Sequence, residues 1–156
     1  MDLKELLKEA DPFKGLNDKE MQGIEELGTV RKYSKGEVVF EENSEGNEFF
    51  VVISGRIAIN KNIAGGRKRN LSNLKQGEVF GELSLFDSQP RSAEAEAAED
   101  SEVMIFPNDK FRKLLKGNLV MAFIIQTRII RRLCQRLRAT DDMLKEGVIW
   151  GFSIDE

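Results

Sequence analysis

The chain has 156 residues, 40% hydrophobic and 33% charged, with a formal net charge of −3. That length suits one domain with a core large enough to fold unaided, and the mildly acidic balance disfavours bulk binding to nucleic acid or anionic membrane. Histidine is absent and Cys134 is the sole cysteine, which removes Ser-His-Asp and Cys-His nucleophiles, imidazole and thiolate metal sites, and any internal disulfide.

Asp2 to Glu9 carries Leu3, Leu6 and Leu7 at helical spacing and ends before Asp11-Pro12. A second helix starts at Asn17, with Glu20 in capping-box position. Its apolar side is Met21, Ile24 and Leu27, and Gly28 marks its stop. From Tyr33 to Pro107 short apolar runs (EVVF, EFFVVI, RIAI, NLSNL, EVMIF) alternate with turn signals at Gly36, Asn43, Gly46, Gly55, Gly65-Gly66 and Gly77. Short strands punctuated by glycine predict an antiparallel sandwich or barrel. Gly65-Gly66 marks a hairpin tip that exposes Arg67, Lys68 and Arg69. Within VFGELSLF the spacing of Val79, Phe80, Leu83 and Phe86 predicts a short helical turn instead of another strand. After Pro107 the chain is helical: a short helix capped by Asn108 and stopped by Gly117, then a long one from about Asn118 to Glu146. In the latter Leu119, Phe123, Gln126, Ile130, Leu133, Leu137, Thr140 and Leu144 form a heptad seam with two polar interruptions. No apolar run approaches the roughly 18–20 residues of a membrane span, and MDLKELLKEA lacks an apolar signal region. A single thiol fits the reducing cytoplasm.

The chemistry concentrates between Gly77 and Ala93. Gly81 allows close backbone approach at the start of a helical turn, where free N–H groups favour an anion. Arg91 presents a planar fork suited to phosphate. Ser92 adds a hydroxyl, and the N–H groups of Ser92 and Ala93 complete a cradle. Glu82 cannot hold a phosphate but accepts from a sugar hydroxyl. An anion holder and a sugar holder in one loop point to a nucleotide, although a lone Glu–Arg pair is more often a surface ion pair.

Together with its flanks, this stretch is specific. GEVFGELSLF followed by PRSA resembles the phosphate-binding cassette of the cyclic-nucleotide-binding family, which includes the bacterial catabolite activator protein and kinase regulatory subunits. PFKGLNDKEMQGI resembles that family's N-terminal helix, YSKGEVVFEENSEGNEFFVVISGRIAI its first strands, EDSEVMIFPNDKFRKLL its last strand and following helix, and QRLRATDDML its long dimer helix. The resemblance implies one mainly β domain, an eight-stranded jelly-roll-like barrel over about residues 30–107 with helices at both ends. It implies that Glu82 accepts from the ribose 2′-hydroxyl, that Arg91 pairs with the cyclic phosphate, and that Ser92 and Ala93 add hydrogen bonds. The backbone at Gly81 and Leu83 would lie near the sugar. Ile59, Leu71 and Ser72 match positions lining the pocket, with plain core packing as the alternative for Ile59 and Leu71. Thr140 matches a threonine that meets the purine in bacterial activators. Two departures stand out: Asn43 replaces a turn glycine, and Asp141 replaces the serine after the helix threonine.

The expected protein is a non-enzymatic sensor of a cyclic purine nucleotide, cAMP ahead of cGMP, with no cofactor or metal. The seam implies a homodimer, and the sensing role an effector protein not identified by the sequence. Arg128, Arg131, Arg132, Arg136 and Arg138 read as solvated flanks of the long helix, not as a nucleic-acid surface. Trp150 and Phe152 would form an aromatic lid on the purine or pack on a hydrophobic surface. Only GVIWGFSIDE follows Glu146, which leaves a stand-alone sensor or a transcription-regulator fragment without its helix-turn-helix. A degenerate scaffold that binds no ligand is the remaining alternative.

Overall fold

The computed structural model describes the backbone of residues 2–152 and the side chains of residues 2–147. Helix α1 (Leu3–Glu9) buries Leu6 and Leu7, and Pro12 sits in a 3-10 turn at Asp11–Phe13. Helix α2 (Asp18–Leu27) opens with the expected capping box: Asn17 Oδ1 accepts from the Glu20 N–H, and the Glu20 carboxylate accepts from the Asn17 N–H, both at 2.9 Å. Its Met21 and Ile24 are fully buried.

Eight strands follow: β1 (Thr29–Tyr33), β2 (Val38–Phe40), β3 (Glu48–Ser54), β4 (Ile57–Ile63), β5 (Arg67–Leu74), β6 (Val79–Phe80), β7 (Glu94–Ala97) and β8 (Ser101–Pro107). They form two four-stranded antiparallel sheets, in the orders β1-β8-β3-β6 and β2-β7-β4-β5, and not one closed barrel. The physical reason is strand length. β2 has three residues and β6 only two, too few to carry a ladder around the corner between sheets. The expected helical turn in VFGELSLF begins later than its spacing predicts, since Val79 and Phe80 pair with Val51 and Phe50 as β6. It appears as α3 (Leu83–Asp87).

Period-two alternation divides two cores. Phe49 and Val51 of β3, with Met104 and Phe106 of β8, face the helices and join Phe13, Met21, Ile24 and Phe111. Phe50 and Val52 of β3, with Val103 of β8, point the other way, toward Ile57, Ile59, Ala95 and Ala97 of the second sheet. Strand β3 is apolar from Phe49 to Ile53 because both of its faces are covered there. Each such large side chain contributes about 1.5–3 kcal/mol relative to exposure.

Helix α4 (Asn108–Gly117) differs from expectation at its start: Pro107 holds the cap position and the Asn108 side chain makes no capping bond. Helix α5 (Leu119–Phe152) runs beyond Glu146 and is capped by Asn118, whose Oδ1 accepts from the Met121 N–H at 3.0 Å. It carries two apolar stripes. Met121, Ala122, Ile125 and Ile129 are buried against the domain, while Leu119, Phe123, Ile130, Leu137 and Leu144 of the seam are 57% to 76% exposed. Among the described residues no helix is long and apolar enough to cross a membrane. The lid expected of Trp150 and Phe152 falls on side chains outside the described residues.

The α2 cap offers a check on the helical half of the core. Asn17→Ala should cost about 1 kcal/mol and lower Tm by about 2–4 °C, as read by thermal and urea denaturation.

Candidate functional site

A cavity of about 400 Å³ opens where the edge strands β5 and β6 of the two sheets meet the segment from Gly81 to Ala93. Nine of the ten residues singled out from the sequence line it: Ile59, Leu71, Ser72, Gly81, Glu82, Leu83, Arg91, Ser92 and Ala93. Thr140 does not. It is exposed, and its hydroxyl donates to the Arg136 carbonyl one turn back, at 2.9 Å.

Arg91 is the cavity's buried cation, 6% exposed. Its backbone is fixed by two 2.8 Å bonds, its N–H donating to the Ser44 carbonyl and its carbonyl accepting from the Asn43 N–H. Asn43 adopts φ 65°, so it fills the turn-glycine position without a change of backbone. The guanidinium lies over the Phe40 and Phe50 rings, 4.2 and 5.5 Å from their centroids. Nη1 donates to the Gly81 carbonyl at 3.0 Å and to Ser84 Oγ at 3.2 Å, and Nη2 to the Glu48 carbonyl at 2.7 Å. Nε is buried with no hydrogen-bond partner among the described residues. Burial pushes the Arg91 pKa down, opposed by the charges of Glu48 and Glu82. The group stays cationic, since arginine remains protonated at any ordinary pH.

Glu82 is 3% exposed and meets a cation that sequence reasoning set aside. Arg136 of α5 lies 3.1 Å away, Nη1 to Oε1. Arg132, one turn earlier, reaches Glu78 at 3.7 Å, and Arg128, one turn before that, reaches Asp11 at 3.7 Å. These three do more than flank a dimer helix: each pairs with a carboxylate of the domain, although Arg136 stays half exposed. Their spacing of four places them on one helix face, a signal available in the sequence but obscured by the heptad seam beside it. Arg132, Gln135, Arg136 and Ala139 thereby form the α5 wall of the cavity.

The remaining lining is divided between core and pocket. Ile59 is buried at 9% exposure and serves both. Leu71 is 52% exposed, so core packing does not explain it. The β4–β5 register runs from Ile59–Ser72 to Asn60–Asn70, leaving Leu71 as a bulge residue, and a bulge re-aims a side chain. Ser92 is exposed at the rim, where its carbonyl accepts from Lys61 Nζ at 2.6 Å. At the hairpin tip Arg67, Lys68 and Arg69 are exposed as expected, and Lys68 also pairs with Glu94 at 2.8 Å.

Gly81 combines two constraints. Its φ is 71°, and a Cβ there would lie 2.7 Å from Arg91 Nη1 and 3.0 Å from the Phe50 ring. Gly81→Ala should therefore destabilise the fold by about 1–3 kcal/mol, measured by urea denaturation against wild type.

Comparison with known proteins agrees with this geometry. The family profile described as "Cyclic nucleotide-binding domain" matches residues 30–118, more than half of the chain. The Cyclic AMP receptor protein of Thermus thermophilus is 31% identical over 121 residues, 78% of this chain and 56% of that protein. A cAMP-dependent protein kinase regulatory subunit of Mycosarcoma maydis is 35% identical over 86 residues, 55% of this chain and 16% of its own length. Among solved structures, the Thermus thermophilus catabolite activator protein superposes with a TM-score of 0.77 at 30% identity, over 86% of this chain and 62% of that one. The chain thus spans little more than half of the Thermus receptor protein. The matched profile is that of a binding module and not of a catalytic one. With cassette, two-sheet scaffold and long helix in the family's order, this chain belongs to the cyclic-nucleotide-binding domain family.

Proposed function

We propose that the cavity binds a cyclic purine nucleotide, cAMP in preference to cGMP, and that the chain is a non-catalytic cytoplasmic sensor needing no cofactor. The observation that carries this reading is Arg91: a guanidinium 6% exposed, served by carbonyls and a hydroxyl, with no carboxylate in salt-bridge contact among the described residues. A buried cation with no carboxylate in direct contact favours an anionic ligand. In this reading Arg91 holds the cyclic phosphate, with the Ser92 hydroxyl and the Ala93 N–H beside it. Glu82 accepts from the ribose 2′-hydroxyl, with the Gly81 and Leu83 backbone alongside, and Ile59, Leu71 and Ser72 wall the base. The preference for cAMP is supported by similar proteins whose names carry that nucleotide, among them the Thermus receptor protein and the Mycosarcoma kinase subunit.

Signalling would pass through α5. Glu82 already takes a hydrogen bond from Arg136, so a ribose hydroxyl and α5 draw on the same carboxylate. Binding and helix position are then linked, and the ligand shifts the helix population. The exposed seam from Leu119 to Leu144 would carry that shift to a second copy or to an effector protein.

Calorimetry with cAMP and cGMP tests the reading. Wild type should bind both, cAMP more tightly, and Arg91→Ala should weaken binding ten- to hundredfold, the loss expected from a charge-assisted hydrogen bond of about 1.5–3 kcal/mol. Unchanged affinity in the variant removes Arg91 from the site. No binding and no thermal stabilisation of wild type by either nucleotide would instead support a scaffold. For the dimer, sedimentation equilibrium should show Ile130→Glu with Leu137→Glu as a monomer and wild type as a dimer; a monomeric wild type ends that proposal.

A further inference from the structure

The face of α4 that meets the cassette has no role in the reading above, yet it grips the groups that hold Arg91. Ser84, the second residue of α3, is 3% exposed. Its Oγ accepts from Arg91 Nη1 and from Asn108 Nδ2, both at 3.2 Å, and donates to the Gly81 carbonyl at 3.0 Å. One proton and two lone pairs are all a hydroxyl has, so this one is fully used, with the Glu48 carbonyl at 3.5 Å a second, more distant acceptor for its proton.

Asn108 is 2% exposed. Its backbone N–H donates to the Asn47 carbonyl at 2.9 Å, next to Glu48, whose carbonyl accepts from Arg91 Nη2. Its side chain reaches Ser84. Asn108 therefore touches both of the segments that flank the guanidinium. Its Oδ1 is buried without a hydrogen-bond partner among the described residues, a desolvation cost that an apolar side chain in the same place would avoid. One turn along α4, Arg112 donates to the Ser84 carbonyl at 3.1 Å and to the Leu85 carbonyl at 2.9 Å. The packing leaves no slack, since a Cβ at Gly46 would sit 2.8 Å from Ser84 Cβ and 2.9 Å from Arg91 Cζ.

We infer that Ser84 and Asn108 are positioning residues for Arg91, a strut that sets the guanidinium's orientation and ties the anion-holding group to α4. This rests on Arg91 being the phosphate holder. An anion that takes hydrogen bonds from Arg91 then loads Ser84 and Asn108, and α4 is pulled along with the cassette.

The test uses the full chain with Ser84→Ala and Asn108→Leu, each alone and each combined with Arg91→Lys. Ser84→Ala, the smaller change, serves if Asn108→Leu does not fold. Calorimetry with cAMP should show each single variant weakened roughly five- to twentyfold. Neither should add to the loss already caused by Arg91→Lys. The NMR signal of the Arg91 Nε–H group, recorded on protein alone, should move in both single variants. Losses that add to those of Arg91→Lys, or a lowered Tm with affinity and Arg91 signal unchanged, would overturn the strut. Failure of wild type to bind either nucleotide overturns the binding proposal instead. The Arg91 signal then decides the positioning claim: movement supports it and an unmoved signal sinks it.

Discussion

A guanidinium taken almost out of water must be surrounded by acceptors and soft faces, and around Arg91 that requirement has shaped residues far apart in the chain. Desolvating a cation costs far more than a typical hydrogen bond returns. Arg91 offsets it with the Glu48 and Gly81 carbonyls, the Ser84 hydroxyl and the Phe40 and Phe50 rings. Each needs its own element in place: β2 for Phe40, β3 for Glu48 and Phe50, the end of β6 for Gly81, and α3 for Ser84. The glycines at 46 and 81 are where side chains would intrude on that arrangement. The corner between the sheets thus gathers the groups that accommodate one charge.

The long helix answers a different demand. Its first half is an ordinary core helix, sealed by Met121, Ile125 and Ile129. Beyond that, with Leu133 still half-buried against the core, its hold on the domain shifts toward ion pairs, Arg132 to Glu78 and Arg136 to Glu82. Such pairs are weaker and more easily exchanged than packed methyl groups, particularly where one partner is exposed. The chain therefore places its firm attachment at one end of α5 and its exchangeable attachment beside the cavity.

Much of this was legible in the residues. Strands, capping box and cassette follow from short apolar runs between turn residues, Asn17–Glu20 and the Gly81–Ala93 stretch, because each is a local pattern. What escaped required knowing which elements face each other. Asn108 looks like a cap because asparagine before a helix usually is one, and only the closeness of α3 reveals it as a buried strut. Arg132 and Arg136 look like solvated flanks until α5 is laid along the cavity. Thr140 matches a ligand-contacting position only by resemblance, and the helix phase turns it outward, next to Ala139, which does face the cavity. Leu71 reaches the cavity through a bulge that no alternation pattern announces.

The asymmetric attachment of α5 has a mechanical consequence. At about 1.5 Å of rise per residue, the stretch from Ile129 to Gly147 extends about 27 Å past the last buried anchor. It is a lever arm with its fulcrum in the core and the cavity beside the fulcrum. A tilt of a few degrees, caused by rearranging one carboxylate's partners near the pivot, moves the far end by about 2 Å. Small chemistry beside a fixed pivot is thereby converted into displacement large enough to repack a surface.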